Sequence, residues 1–255
     1  MKFRILMIYL VFGTFISLFS QYASADGKIT IAFDEANPPF MYANADKVAG
    51  VYPNLIETVF KKMGQPVELK TYPWKRALEL GDKGEVGIGG IYKNEARLKI
   101  YDYSAPIFDE KLNIYVKKGN RFAFKNVSDL KNKSIGVIRG WSYGDDFDKG
   151  KKEQLFKVEE NSSDELNFKK LLADRLDCVI AIEQSADSVI SKLGSHNQVE
   201  ALDIPLAVNP TYLVFAKQQN KQGIIEQFNK TLMTMKQDGS YQTLIKVLFQ
   251  QNTAK

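Results

Sequence analysis

The residues best suited to chemistry lie in one short turn. Gly140-Trp141-Ser142-Tyr143-Gly144 has the G-x-S-x-G pattern that exposes a nucleophilic serine after a strand. Asp164, Asp174 and Asp187 follow it, and then His196, the only histidine, so a Ser…Asp…His order is formally present. Against a hydrolase stand two features. The segment after Ser142 is Tyr-Gly-Asp-Asp-Phe-Asp-Lys-Gly, a poor start for a tightly packed elbow helix, and His196 sits in the helix-ending turn Gly194-Ser195-His196-Asn197. The same turn has a gentler use, because glycine-rich strand-to-helix turns aim free backbone N–H groups at an anion. Gly89-Gly90 reads as a second such turn, with Tyr92 where a dinucleotide fingerprint would have its third glycine. Two anion-friendly turns at strand ends suggest a cleft for a small polar ligand, with Trp74 and Trp141 as candidate aromatic walls. Cys178, alone in an apolar run, reads as a packing residue. No spacing marks a metal site or a glycosidase acid pair, and no cofactor is expected.

The elements that must position these residues alternate between two periods. Strands are expected at Lys28–Phe33, Val67–Thr71, Val86–Ile88, Leu112–Val116, Ser134–Ile138, Leu155–Val158, Cys178–Ile182 and Tyr212–Ala216. Helical spacing runs through Leu55, Ile56, Val59, Phe60 and Met63, with Gly64 as the stop. Further helices are expected from Pro73 to Gly81, from a Ser162/Glu165 capping box, up to Leu193, and twice near the end, on Ile224–Leu232 and Tyr241–Leu248. Strands separated by helices imply βαβ units, a mainly parallel sheet and an α/β fold. If there are two lobes, Leu112–Val116 and Tyr212–Ala216 are the candidate crossings between them.

Composition narrows the setting. The chain has 255 residues, 44% apolar, with 35 basic and 30 acidic side chains, which is ordinary for a folded protein and gives no nucleic-acid footprint. Lys2 and Arg4, the apolar stretch Ile5–Phe19 and Ala23-Ser24-Ala25 together read as a secretory signal peptide over residues 1–25, cleaved after Ala25. Export without a disulfide, since there is one cysteine, requires a real core, which about 230 residues can supply.

In order and spacing, several segments resemble the type II periplasmic solute-binding proteins of the polar amino acid family, the receptors of ABC importers. They are Asn37-Pro38-Pro39-Phe40, Gly89 to Arg97, Tyr101-Asp102-Tyr103-Ser104-Ala105-Pro106, Val127 to Val137, Leu176 to Ile180 and Gly239-Ser240-Tyr241. The resemblance implies two Rossmann-like lobes with two hinge crossings: lobe 1 from 26–113 and 214–255, and lobe 2 from 114–213. It implies that Arg97 grips a ligand carboxylate, that Asp34, Asn37 and Phe40 contact the ligand from the first lobe, and that Gly140, Trp141 and Ser142 donate from the second. Gly90 and Tyr92 occupy positions where relatives that bind amino acids carry hydroxyls, and Ile182 stands where they carry the acid for the amino group, so either Glu183 beside it substitutes or no amino group is bound. Trp74, Arg76 and Arg139 are further cleft candidates. The expectation is a monomeric periplasmic protein, not an enzyme, that closes on an amino-acid-like or carboxylate-bearing solute and delivers it to an ABC permease. The alternatives are a sensor module for a membrane signalling receptor, or a hydrolase or dehydratase on the same fold.

Overall fold

A computed structural model describes residues 28–253 apart from position 46; the expected signal peptide lies outside the described residues. The strands are β1 (Ile29–Asp34), β2 (Ala36–Asn37), β3 (Met41–Asn44), β4 (Lys47–Ala49), β5 (Val67–Tyr72), β6 (Gly87–Tyr92), β7 (Tyr101–Tyr103), β8 (Phe108–Lys117), β9 (Ser134–Ile138), β10 (Lys157–Asn161), β11 (Cys178–Ile182), β12 (Val199–Ala201) and β13 (Ala207–Ala216). The α-helices are α1 (Val51–Met63), α2 (Trp74–Asp82), α3 (Glu95–Ile100), α4 (Asp145–Lys152), α5 (Asp164–Leu172), α6 (Glu183–Lys192), α7 (Gln222–Gln237) and α8 (Ser240–Thr253).

Two parallel groups share one sheet. Its order is β10-β9-β11-β8-β13-β6-β1-β5, with β12 on β8 and β7 on β13. In the first lobe β1 pairs in parallel with β5 and β6; in the second β9 pairs in parallel with β10 and β11. The long strands β8 and β13 run antiparallel and join the lobes, and the terminal helices α7 and α8 return to pack on α1 of the first lobe. β2, β3 and β4 form a small separate sheet beside β1.

Local sequence accounts for most of these elements. α1 buries Leu55, Ile56, Val59 and Phe60 at helical spacing and ends at Gly64, whose φ of 70° is the left-handed conformation a glycine cap supplies. β11 is buried along its whole length, as a central strand covered on both faces should be. α4 forms from the acidic segment that follows Ser142. Asp145, Asp146 and Asp148 lie in its first turn and Lys149, Lys151 and Lys152 in its last, an order that complements the helix dipole.

Four expectations shift. Gly81 does not end α2; it lies inside the helix, where a Cβ would fall 2.3 Å from the Ile88 side chain. Gly89-Gly90 is not a turn but part of β6, which runs on to Tyr92. A Cβ on Gly89 would meet the Phe33 ring at 2.3 Å, and Gly90 has φ +78° where the register with β13 shifts. The cap of α5 is Ser163, whose side chain accepts from Leu166 N, one residue beyond the expected Ser162. The crossing strands begin earlier than Leu112 and Tyr212. They pair with each other over Phe108–Leu112 and Ala207–Thr211, stretches too polar to read as strands.

Candidate ligand-binding site

The two lobes meet across a tight cavity of about 10 Å³, room for a single water molecule. Its walls are Asn37 from β2, Met41 from β3, Trp74 at the start of α2, Gly90 and Tyr92 from β6, Arg97 from α3, Glu110 from β8, and Trp141 and Ser142 from the turn after β9. Residues from both lobes and from a crossing strand thus enclose one space.

Arg97 is placed by its own helix. Asn94 caps α3, its side chain accepting from Arg97 N at 2.8 Å, and Arg97 Nη1 donates to Tyr92 O at 3.2 Å. Among the described residues no carboxylate forms an ion pair with the guanidinium. Burial pulls its pKa below the usual arginine value, yet arginine stays charged at any relevant pH. Two more donors point the same way. Asn37 Nδ2 and Trp74 Nε1 are buried in the cavity wall, and among the described residues neither has a hydrogen-bond partner. Buried donors are rarely left unpaired, and the cavity wall holds three donor groups, on Arg97, Asn37 and Trp74.

The lobes are also tied directly. Trp141 Nε1 donates to Asp34 Oδ2 at 3.0 Å, Ser185 Oγ donates to Asn37 Oδ1 at 2.8 Å, and Asn94 Nδ2 donates to Ser142 Oγ at 3.2 Å. Tyr92 and Trp141 meet edge to face at 6.5 Å. Asp34 is only 3% exposed, and burial pushes its carboxyl up to about 6 although Trp141 and Ala36 N both favour the charged form.

Several expected site residues stand apart from the cavity. The Phe40 side chain, in the turn before β3, is fully buried among Tyr52, Phe108 and Phe249, while its neighbour Met41 lines the cavity. Arg76 is exposed on α2 and pairs with Glu79 at 3.4 Å. Arg139 and Asp34 line a neighbouring hollow of about 90 Å³ that also touches Trp74. Gly140, with φ +76°, abuts Trp74 and Lys75. Glu183 is held by Lys111 Nζ at 3.0 Å and by Asn113 Nδ2 at 3.3 Å. Ser142 donates to the Asp148 carboxylate and accepts from Asn94, while His196 is exposed in its turn, so the serine–histidine contact of a hydrolase is not made.

Glu110 was missed. It lies between Asp109 and Lys111, which reads as polar surface, but alternation along β8 puts it on the buried side with Leu112 and Ile114. A strand read from Phe108 would have found it. Among the described residues there is no group of three or more His, Cys, Asp or Glu that could hold a metal ion, and no helix long and apolar enough to cross a membrane.

A fold of two α/β lobes on two crossing strands, with a donor-rich cavity between them, is the architecture of a solute-binding protein. The sequence profile of the bacterial extracellular solute-binding proteins, family 3, matches residues 29–251, and the chain belongs to that family. It is 24% identical over 243 residues to the L-cystine-binding protein TcyJ of Escherichia coli (strain K12), covering 90% of this chain and 85% of that one. It is 25% identical over 234 residues to the arginine-binding periplasmic protein of Mannheimia haemolytica, covering 89% and 93%. Among solved structures it resembles an ancestral arginine-binding protein bound to arginine, with a TM-score of 0.73, 26% identity, and 88% and 98% of the two chains covered.

Proposed function

We propose that this protein captures a free amino acid, or a close amino-acid-like carboxylate, in the interlobe cavity and presents it to the permease of an ABC importer. The carrying observation is the Arg97 guanidinium, charged, at the cavity wall and without a carboxylate partner, next to the unpaired donors of Asn37 and Trp74. A planar guanidinium is well shaped to take a carboxylate through two parallel hydrogen bonds. The ligands in the names of the similar proteins, L-cystine and arginine, are of this class.

In this reading residues 26–113 and 214–255 move as one lobe and 114–213 as the other. The open form admits the solute, and contacts that only the closed form makes favour closure. The protein works as a monomer in the periplasm, exported by a signal peptide cleaved after Ala25, and it grips and releases its ligand without turnover.

The test is a thermal-shift screen of the mature chain against L-cystine, L-arginine, L-histidine and L-glutamine, with glutarate and putrescine as controls. A ligand at about a hundred times its Kd should raise Tm by roughly 5–10 °C. Arg97→Ala should abolish that rise. An Arg97→Ala protein that responds like the wild type would remove the carboxylate clamp.

A further inference from the structure

Among the described residues Glu110 is the one acidic side chain in the cavity wall, and its surroundings leave it incomplete. It sits in the first half of β8, opposite Asn209 of β13, and is 1% exposed. The Tyr52 hydroxyl from α1 donates to Oε1 and the Tyr92 hydroxyl from β6 donates to Oε2. These are the titratable groups in contact with it. Among the described residues no lysine or arginine forms an ion pair with it; Arg97, on another wall, donates to Tyr92 O instead. Each carboxylate oxygen can accept more than one hydrogen bond, so two tyrosines do not saturate the group. A buried acid without a counter-charge holds its proton, and burial pushes Glu110 up to about 8 despite both tyrosines. The cavity therefore has a lasting positive charge at Arg97 and, at Glu110, a carboxyl that ionises at little cost only if a cation enters.

We propose that Glu110 is the subsite for a cationic group of the ligand, an ammonium or a guanidinium, so that the cavity selects solutes carrying both a carboxylate and a cation over simple carboxylates. This rests on the reading of Arg97 as the carboxylate clamp. Glu110 is a specificity residue here, and Tyr52 and Tyr92 are positioning residues that hold its plane. Binding is coupled to a proton. At pH 7 the empty site keeps Glu110 mostly protonated, the bound cation favours the carboxylate, and the proton leaves to solvent.

The experiment is titration calorimetry at pH 7 with L-arginine, L-histidine and L-cystine, each run in buffers of low and high ionisation enthalpy. Wild type should release close to one proton per ligand bound. Glu110→Gln should bind at least tenfold more weakly, as expected for losing a hydrogen bond to a charged group, and should release none. Nα-acetyl derivatives, and L-citrulline in place of L-arginine, separate the two sources of cation. Loss of binding on acetylation assigns the α-ammonium, and loss with citrulline assigns the guanidinium. Glutarate should bind far more weakly than the amino acids. If Glu110→Gln does not fold, proton release by the wild type and the modified ligands still decide. The proposal is overturned if wild type binds with no proton release, if Glu110→Gln binds within twofold of wild type, or if acetylated ligands, citrulline and glutarate bind as well as the parent amino acids. Normal binding by Arg97→Ala would overturn only the carboxylate clamp. If none of the three amino acids binds wild type, both readings fall.

Discussion

At the scale of single residues, the molecule buries acids that ordinary proteins keep wet. Burial raises Asp34 to about 6, Asp164 to about 7 and Glu110 to about 8, whereas the unfolded chain loses the same protons near pH 4. Between those values the native state holds more protons than the unfolded state, so stability must fall as pH rises. The contribution is complete below about pH 4 and is lost in turn as pH passes 6, 7 and 8. Glu165, held down to about 2 by Lys169 and Lys192, acts in the opposite sense and only in strong acid. Unliganded protein should therefore melt highest near pH 5 and lose on the order of 5–10 °C by pH 9, measured by calorimetry. Glu110→Gln should flatten the upper part of that fall. A Tm that rises from pH 5 to 9 would show these acids are not buried as described. Which residues were legible follows the same physics. Arg97 stood out by its place in a motif, and Trp74 and Trp141 by their positions at strand ends. Glu110 did not, because its neighbours are charged and only the alternation of β8 reveals that it faces inward.

At the scale of elements, continuous apolar strands were legible and the polar halves of the two long strands were not. Ser134–Ile138 and Cys178–Ile182 match their observed bounds, since buried parallel strands are continuous apolar runs. The first halves of β8 and β13 are polar or half-buried and read as loop, although they form the ladder that joins the lobes. β6 is the other lesson. Its glycines look like a turn in sequence, yet they leave room for large rings, with Tyr52 packed where a Gly90 Cβ would stand, 2.6 Å away. Gly90→Ala must also adopt φ +78°. We expect it to cost about 2–4 kcal/mol and to lower Tm by roughly 5–15 °C in thermal unfolding. It should also disturb ligand binding, because Tyr52 is one of the two donors that fix Glu110. A Gly90→Ala protein with unchanged Tm would mean that β6 has slack there.

At the scale of the whole molecule, the α/β fold is the expected one, and the strands that join its two parallel groups begin earlier than the expected crossings. The lobes touch through polar side chains: Trp141 to Asp34, Ser185 to Asn37, and Asn94 to Ser142. Such bonds span the cleft, so on the proposed closure mechanism their removal should weaken the ligand-bound form and spare the open one. Ser185→Ala should reduce ligand affinity about twofold to tenfold while leaving the Tm of the unliganded protein within a degree or two. Equal losses with and without ligand would place the Ser185 bond in both states. These contacts could not be read from sequence, since each joins residues dozens of positions apart with no pattern linking them.

The two crossing strands are neighbours in a single sheet, hydrogen-bonded to each other over five residue pairs. Opening such a cleft is less like turning a pin in a hinge than like twisting a leaf spring. The strain of the open shape is spread along a ladder, and no one residue carries it. Substitutions there should tune the stiffness of the clamp by small steps, giving evolution a way to adjust how readily the ligand is released without touching the walls that recognise it.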